Sequence, residues 1–235
     1  MGSSFGPNIV TDNLVVCLDA ANAISYSGSG TTWKDVVGSR DTTLTNSPAF
    51  STTNSGIFTL DGTDDYSTLG SDVELKDEGG WTMEHWVNPD TVDGNSNLFN
   101  FAGHASPTTV GWYFCIRGAS SKLSIWNKDP GVWKDGSTTL VVGTWYQVVC
   151  VSENTSGTGY QFYVNGSAET GDHATYSFNG AGDYKKLLLQ WIGRADSTNG
   201  RYFDGKFALS RFYTKALSAS EVKQNYDANR GRFGL

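Results

Sequence analysis

The chain is poor in the residues that build covalent or metal-held scaffolds: its 235 residues include three cysteines, three histidines and five prolines. Cys17, Cys115 and Cys150 are odd in number and unclustered, and each lies in an apolar run. They read as small buried hydrophobes rather than a disulfide framework or a zinc site, which fits assembly in a reducing cytoplasm. His85, His104 and His173 do not stand at metal-ligand spacing. Long apolar runs are missing too. The most apolar stretch, 187–192, is too short to cross a bilayer, and the Gly/Ser-rich start lacks an export-signal pattern, so neither a membrane partner nor Sec export is expected. Positive charge is sparse and scattered: 17 Lys and Arg against 24 Asp and Glu leave a net charge of −7. Neutralising phosphates needs clustered cations, so nucleic acid is not an expected partner. No EF-hand loop, phosphate-cradling Gly-Lys-Ser/Thr loop or dinucleotide fingerprint occurs.

What is present points to strands. Twenty-eight glycines supply turns that need positive φ, and 13% aromatic residues with many Thr and Val favour pleated, half-buried surfaces. No Pro-rich linker, charge block or repeat divides the sequence, so residues 1–235 form a single domain, with 1–13 as an extended N-terminal arm. Trp81 to Asn88 alternates and is ended by Pro89. Trp112 to Arg117 and Lys122 to Trp126 form a hairpin. Trp145 to Ser152 and Tyr160 to Val164 form another, and Asn165-Gly166, the preferred pair for a type I′ turn, leads to a third strand. Many short strands at this spacing imply a sandwich or barrel. Residues 22–54, rich in Gly, Ser, Thr and Asn, read as a long loop with few strands, pinned by Trp33, with Leu44 as the other apolar anchor.

The C-terminal segment is the most informative. From Phe207 to Tyr213 the side chains alternate, with Phe207, Leu209, Arg211 and Tyr213 assigned to one face and Ala208, Ser210 and Phe212 to the other. Ser218 followed by Glu221 has capping-box spacing, so a short helix follows, with Val222 and Tyr226 on one face and Gly231 past its end.

This ordering resembles the end of laminin-G-like, concanavalin A-type jelly-roll domains, in which the last strand is followed by a Leu-Ser-x-x-Glu-Val…Tyr helix. Asn225-Tyr226…Gly231-Arg232-Phe233-Gly234-Leu235 resembles a narrower version found in structural proteins of tailed bacteriophages. So do the block from Leu14 to Asn22 with Tyr26 to Asp35, the block Leu60 to Tyr66, the Trp81 to Pro89 strand and Phe162 to Gly166, all in order. The resemblance implies an all-β, two-sheet antiparallel jelly-roll sandwich with one short C-terminal helix. At 36–41 the chain departs from these relatives, which carry an Asn/Gly-rich turn there.

The same architecture houses laminarinase-like glycosidases, which set carboxylates on one strand face as Glu-x-Asp-x-Glu. That triplet is missing, and the 72–78 acidic cluster has the wrong spacing. Glu84 is a lone strand carboxylate that cannot serve as both acid and base, and His85 on the apolar face reads as a core histidine. No catalytic residue is assigned, and a glycoside hydrolase stands behind the other readings. Asp61, Asp64 and Asp65, with Asp196 and Asp204 as partners, are the calcium candidates by analogy with lectin-like sandwiches, although Asp61-Gly62 and Asp204-Gly205 equally suit tight turns. No other cofactor is expected. Trp126, Asn127, Asp129 and Trp133, in a segment broken by Pro130-Gly131, are assigned to a loop as a glycan site or a protein interface. The resemblance implies a non-enzymatic structural component of a phage virion, such as a decoration, fibre or neck/tail accessory protein. It would assemble in the host cytoplasm, dock to other virion proteins, and act in multiple copies or as a homo-oligomer. The alternative is a host-glycan adhesin, with or without calcium. The Gly/Ser-rich N-terminus and the Arg230 to Leu235 tail are candidate docking segments.

Overall fold

A computed structural model of the protein describes residues 7–76, 80–92, 98–105, 111–127, 132–152, 160–171, 186–194 and 201–235. The first strands are β1 (Leu14–Asp19), β2 (Thr32–Trp33), β3 (Thr42–Thr45), β4 (Ala49–Ser51), β5 (Ile57–Asp61), β6 (Tyr66–Lys76), β7 (Trp81–Pro89) and β8 (Leu98–Ala105). There follow β9 (Gly111–Arg117), β10 (Lys122–Asn127), β11 (Val132–Thr139), β12 (Tyr146–Ser152), β13 (Tyr160–Val164), β14 (Ser167–Ala168), β15 (Lys186–Ile192) and β16 (Asp204–Tyr213), then helix α1 (Ala219–Asn229). Among the described residues they form two antiparallel sheets. One has the order β14-β13-β12-β7-β16-β5-β4 with β1 also on β16, and the other β11-β10-β9-β8-β15-β6-β3-β2. An antiparallel sandwich with one short C-terminal helix is thus the architecture.

The inter-sheet core holds Phe58, Phe114, Phe162, Phe207 and Phe212, with Trp33 and Trp81. A second apolar layer lies on the far face of the first sheet. There Val149, Val151 and Tyr213 meet Leu217 and Val222, and Trp86 and Leu209 meet Phe233. Hence every residue of β7 and β12 is buried: one face looks into the sandwich and the other is roofed by α1 and the tail. We call this the roofed sheet and its partner the second sheet. Helix α1 begins at the expected capping box, Ser218 Oγ accepting from the Glu221 N–H and the Glu221 carboxylate accepting from the Ser218 N–H. The Asn165-Gly166 turn has φ of 51° and 74°, as a type I′ hairpin requires.

One expectation is corrected. The alternation in β16 breaks at a bulge between Phe207 and Leu209. An extra residue at a bulge shifts the side-chain phase, so Phe207 and Phe212 both enter the inter-sheet core while Ala208 and Leu209 lie under the tail. The 22–54 region carries only the short strands β2, β3 and β4 between loops, held by buried Trp33 and Leu44. Its 35–41 turn is organised by the buried Asp35 carboxylate, which accepts from the N–H groups of Cys17, Val37, Gly38 and Arg40 at 2.9–3.3 Å. Helix α1 ends at Asn229, so Gly231 lies just beyond its end as expected; a 3-10 turn follows over Arg230–Phe233 and Gly234 closes it at φ 73°.

The tail packs onto the roofed sheet through Phe233 and Arg232. Phe233 stacks on Trp86 at 4.4 Å between ring centroids and meets Trp145 at 4.5 Å, while Arg232 pairs with Asp19 at 2.7 Å. Tyr226 lies parallel to Trp86 at 5.8 Å. Phe233→Ala is expected to cost about 3 kcal/mol, because it empties a ring-sized site that rigid neighbours cannot close. Urea denaturation checks this; a loss below about 1 kcal/mol would show that the tail is dispensable. Residues 7–13 of the arm are also held: the Val10 N–H donates to Asn225 Oδ1 at 2.8 Å, and the Tyr213 hydroxyl donates to the Val10 carbonyl at 3.2 Å.

Candidate functional site

On the second sheet, Phe114 and Ile116 of β9 and Leu123 and Ile125 of β10 point into the core. Period two then turns Tyr113, Cys115 and Trp126 to the other face, where they join Trp133 in a separate cluster in which Tyr113 and Cys115 are buried. The cross-strand register sets Trp126 opposite both Tyr113 and Trp133. Their rings form a row: Tyr113 and Trp126 stack at 4.9 Å and 11°, and Trp133 follows at 6.1 Å and 38°. Trp126 and Trp133 are half-buried, leaving part of each indole at the surface.

Polar groups border the row. Asp135 accepts from Ser124 Oγ at 2.7 Å and pairs with Arg117 at 3.2 Å, and the Arg117 guanidinium lies over the Trp133 ring at 5.2 Å. Arg201 lies over Tyr113 at 5.4 Å. Strand β11 is held from the opposite sheet edge. Glu169, just past β14, accepts from the N–H groups of Ser137 and Thr138 at 2.8 and 2.6 Å and from the Thr138 hydroxyl at 2.6 Å. A rigid strand pair thus carries the indoles, which a binding platform needs.

The sequence assignment is corrected in one respect: Trp126 and Asn127 are on β10 and Trp133 on β11, not on a loop. The Pro130-Gly131 break that prompted it, with Asp129, lies outside the described residues. Trp126 and Trp133 are nonetheless brought together. The partners that sequence missed, Tyr113, Arg117, Asp135 and Arg201, become neighbours only through sheet register and the stem that closes at the Arg194–Tyr202 bridge.

Asp61, Asp64 and Asp65 also converge, their carboxylate oxygens within 4.8 Å of one another. The turn itself explains that convergence. Asp61 Oδ1 accepts from the N–H groups of Thr63, Asp64 and Asp65 at 2.9–3.3 Å, which pulls its carboxyl below the usual range. Calcium takes about six to eight oxygens; three carboxylates, one committed to a turn, fall short of that donor set. Asp204 pairs across from Asp61 in the sheet but accepts from the Thr91 hydroxyl, and Asp196 lies outside the described residues. Burial, then the charges of Asp61 and Asp64, raise the Asp65 carboxyl to about 6. An acid whose folded pKa exceeds its unfolded one stabilises the fold when protonated and loses that contribution as pH rises through the folded value. Asp65→Asn is therefore expected to raise Tm at pH 8 and leave it unchanged near pH 4, by calorimetry. An equal effect at both values would remove the electrostatic cause.

Glu84, the lone strand carboxylate, is sealed beneath α1 with none of its surface exposed. Its Oε1 accepts from Trp86 Nε1, Gln147 Nε2 and Arg211 Nη1 at 3.0–3.3 Å and its Oε2 from Asn225 Nδ2 at 2.8 Å. No substrate reaches it. His85 faces the core, its Nδ1 2.9 Å from Ser210 Oγ. The side chain of His104 and all of His173 lie outside the described residues. The three thiols are buried and free of disulfides, with pKa values raised by burial. Among the described residues, no helix is long and apolar enough to cross a membrane.

Residues 61–223, more than half of the chain, match the family model described as the concanavalin A-like lectin/glucanases superfamily. The chain belongs to that superfamily. No curated sequence matches it. Among solved structures it is similar to domain 4 of AbnA, an extracellular arabinanase from Geobacillus stearothermophilus, in complex with arabinotriose. The TM-score is 0.65 at 17% identity, covering 91% of this chain and 98% of that one. It is also similar to Trypanosoma rangeli sialidase in complex with sialic acid (TM-score 0.67, 14% identity, 97% of this chain and 36% of that one). A third is the receptor-binding domain of botulinum neurotoxin C/D mosaic serotype (TM-score 0.60, 14% identity, 92% and 51%). The chain spans about a third of the sialidase and half of the toxin fragment. At these identities the likeness is one of fold, and this fold is not diagnostic of catalysis.

Proposed function

We propose that this superfamily member is a non-catalytic glycan-recognition module displayed on a tailed-phage virion. The observation that carries the recognition is the half-buried Trp126–Trp133 pair on the second sheet, backed by buried Tyr113 and bordered by Asp135 and Arg117. Flat indoles cover the apolar faces of sugar rings, and fixed charged groups at their edges select hydroxyls. The non-catalytic part is supported by Glu84, whose four hydrogen bonds tie down the fold. The virion placement is supported by the ordered sequence blocks shared with phage structural proteins and by three buried free thiols, which suit a protein made in a reducing cytoplasm. Docking to the particle and self-association then use surfaces away from the indole row, the exposed residues of the Arg230 to Leu235 tail among them.

Two measurements test the two parts. The protein should co-purify with intact virions at a fixed copy number relative to the major capsid protein; its absence from washed particles would remove the virion placement. On a glycan array, Trp133→Ala should weaken binding about tenfold or more, equivalent to about 1.4 kcal/mol, with Tm little changed. Uniformly null binding by the wild-type protein would leave docking alone as the role.

A further inference from the structure

We infer that Glu169 is a positioning residue for the Trp126–Trp133 pair: its carboxylate holds a bulge in β11, and that bulge brings the two indoles opposite one another. The inference rests on the glycan-recognition reading for its ligand and on strand register alone for its geometry. Strand β11 lies at the edge of the second sheet, paired with β10. Its C-terminal end is fixed. Thr139 pairs with Lys122, the Leu140 N–H donates to the Ser121 carbonyl at 2.7 Å, and Leu140 is buried in the core. Counted from there, a regular antiparallel ladder would set Ser137 opposite Ser124 and Asp135 opposite Trp126. Trp133 would then fall beyond Asn127, the last residue of β10. The observed pairs are instead Asp135 with Ser124 and Trp133 with Trp126. While β10 advances two residues from Lys122 to Ser124, β11 goes back four, from Thr139 to Asp135, so it bulges by two. That bulge makes the site.

A bulge takes N–H groups out of the ladder, and they need another acceptor. Glu169 supplies it. Its buried carboxylate accepts from the Ser137 and Thr138 N–H groups at 2.8 and 2.6 Å and from their hydroxyls at 3.2 and 2.6 Å. The backbone of Glu169 is itself tied to β13: its N–H donates to the Phe162 carbonyl at 2.8 Å, and its carbonyl accepts from Gln161 Nε2 at 2.9 Å. Gly136 permits the approach, since a Cβ there would lie 2.9 Å from Glu169 Oε2 and 3.4 Å from Phe162 Cδ2. Hydrogen bonds to a charged acceptor are stronger than neutral ones. Removing the carboxylate therefore favours the regular ladder, which needs no acceptor from the other sheet.

Circular dichroism of the full chain reads this geometry without any ligand, the signal of the coupled indoles being the part lost in Trp133→Phe. Glu169→Ala should lose that same part and weaken glycan binding about tenfold, as Trp133→Ala does, while melting stays cooperative. Glu169→Gln, which keeps one acceptor oxygen, should give an intermediate signal and affinity. Gly136→Ala leaves the carboxylate but blocks its approach, and should reproduce Glu169→Ala. It decides the matter together with Glu169→Gln if Glu169→Ala does not fold. An unchanged indole signal in the folded variants would overturn the positioning role, whatever the affinity does. A wild-type protein that binds no glycan, with the signal still lost in the variants, would overturn the glycan reading alone and leave Glu169 as the residue that sets Trp133.

Discussion

Glu84→Ala is expected to destabilise the protein by about 3–5 kcal/mol, the largest single-residue effect anticipated here. The carboxylate sits at a junction of β7, β12, β16 and α1, and no part of that junction touches water: Glu84, Gln147 and Asn225 have no exposed surface and Arg211 has 3%. Attraction between the charges contributes little net stability, since both were taken out of water to make it. The expected loss comes from what the deletion leaves behind. Arg211 would remain a buried cation, keeping Asn229 at 3.3 Å as a partner but losing the Glu84 carboxylate, and the Gln147 and Asn225 amides would lose an acceptor. Asn225 also accepts from the Val10 N–H, so the defect would spread into the N-terminal arm. Glu84→Gln, which keeps the shape and one acceptor oxygen, should cost less but still over about 1 kcal/mol. Chemical denaturation with tryptophan fluorescence gives both values, Trp86 lying against the helix-side cluster. If Glu84→Ala were near neutral, the polar junction would not be what holds the roof to the sheet. If instead Glu84→Gln were fully stable but abolished cleavage of a polysaccharide, the non-catalytic assignment would fall.

The same residue shows how far a sequence can be read. Its strand and face were legible: Trp81, Met83 and Val87 enter the core and Trp86 faces the roof, as unbroken period two requires. Its partners were not. Asn225 is 141 residues away and Arg211 is 127, and nothing local marks either as the other end of a hydrogen bond. Helix α1 was legible because its capping box is local, whereas the 3-10 turn that follows Asn229 and closes at Gly234 carries no such local mark. In β16 the bulge after Phe207 left no trace in composition, so the alternation was carried one residue too far. The indole row was half legible. Pro130-Gly131 marked a break, but β10 runs to Asn127 and β11 starts at Val132, and only the pairing of Trp126 with Trp133 reveals that both indoles share a face. Glu169 belongs to the same class of hidden contact, reaching Ser137 across 32 residues to join the edges of two sheets.

Stability should also fall in acid through His85, by about 1.4 kcal/mol per pH unit over the window in which only the unfolded chain takes up its proton. The imidazole lies between the sheets, with Phe212, Phe207 and Phe114 at 5.4, 5.8 and 6.3 Å. Burial pushes its pKa from the ordinary 6.5 down to about 3. Above pH 6.5 the ring is neutral in both states and costs nothing. As pH falls below that value the unfolded chain binds a proton that the folded protein refuses until about pH 3, so the balance shifts steadily toward unfolding. The total at the acid end is about 4–5 kcal/mol, comparable with the loss from Glu84→Ala. Carboxylates add their own pH dependence, so the measurement is the difference in unfolding free energy between the wild-type protein and His85→Gln from pH 7.5 to 4. That variant keeps a hydrogen-bonding group near Ser210 but has no proton to take up. The wild-type protein should lose ground on it with every unit below 6.5. A difference that stays constant across the range would mean that the folded protein accommodates an imidazolium in its core, and the site would have to be reconsidered as one that can exchange protons.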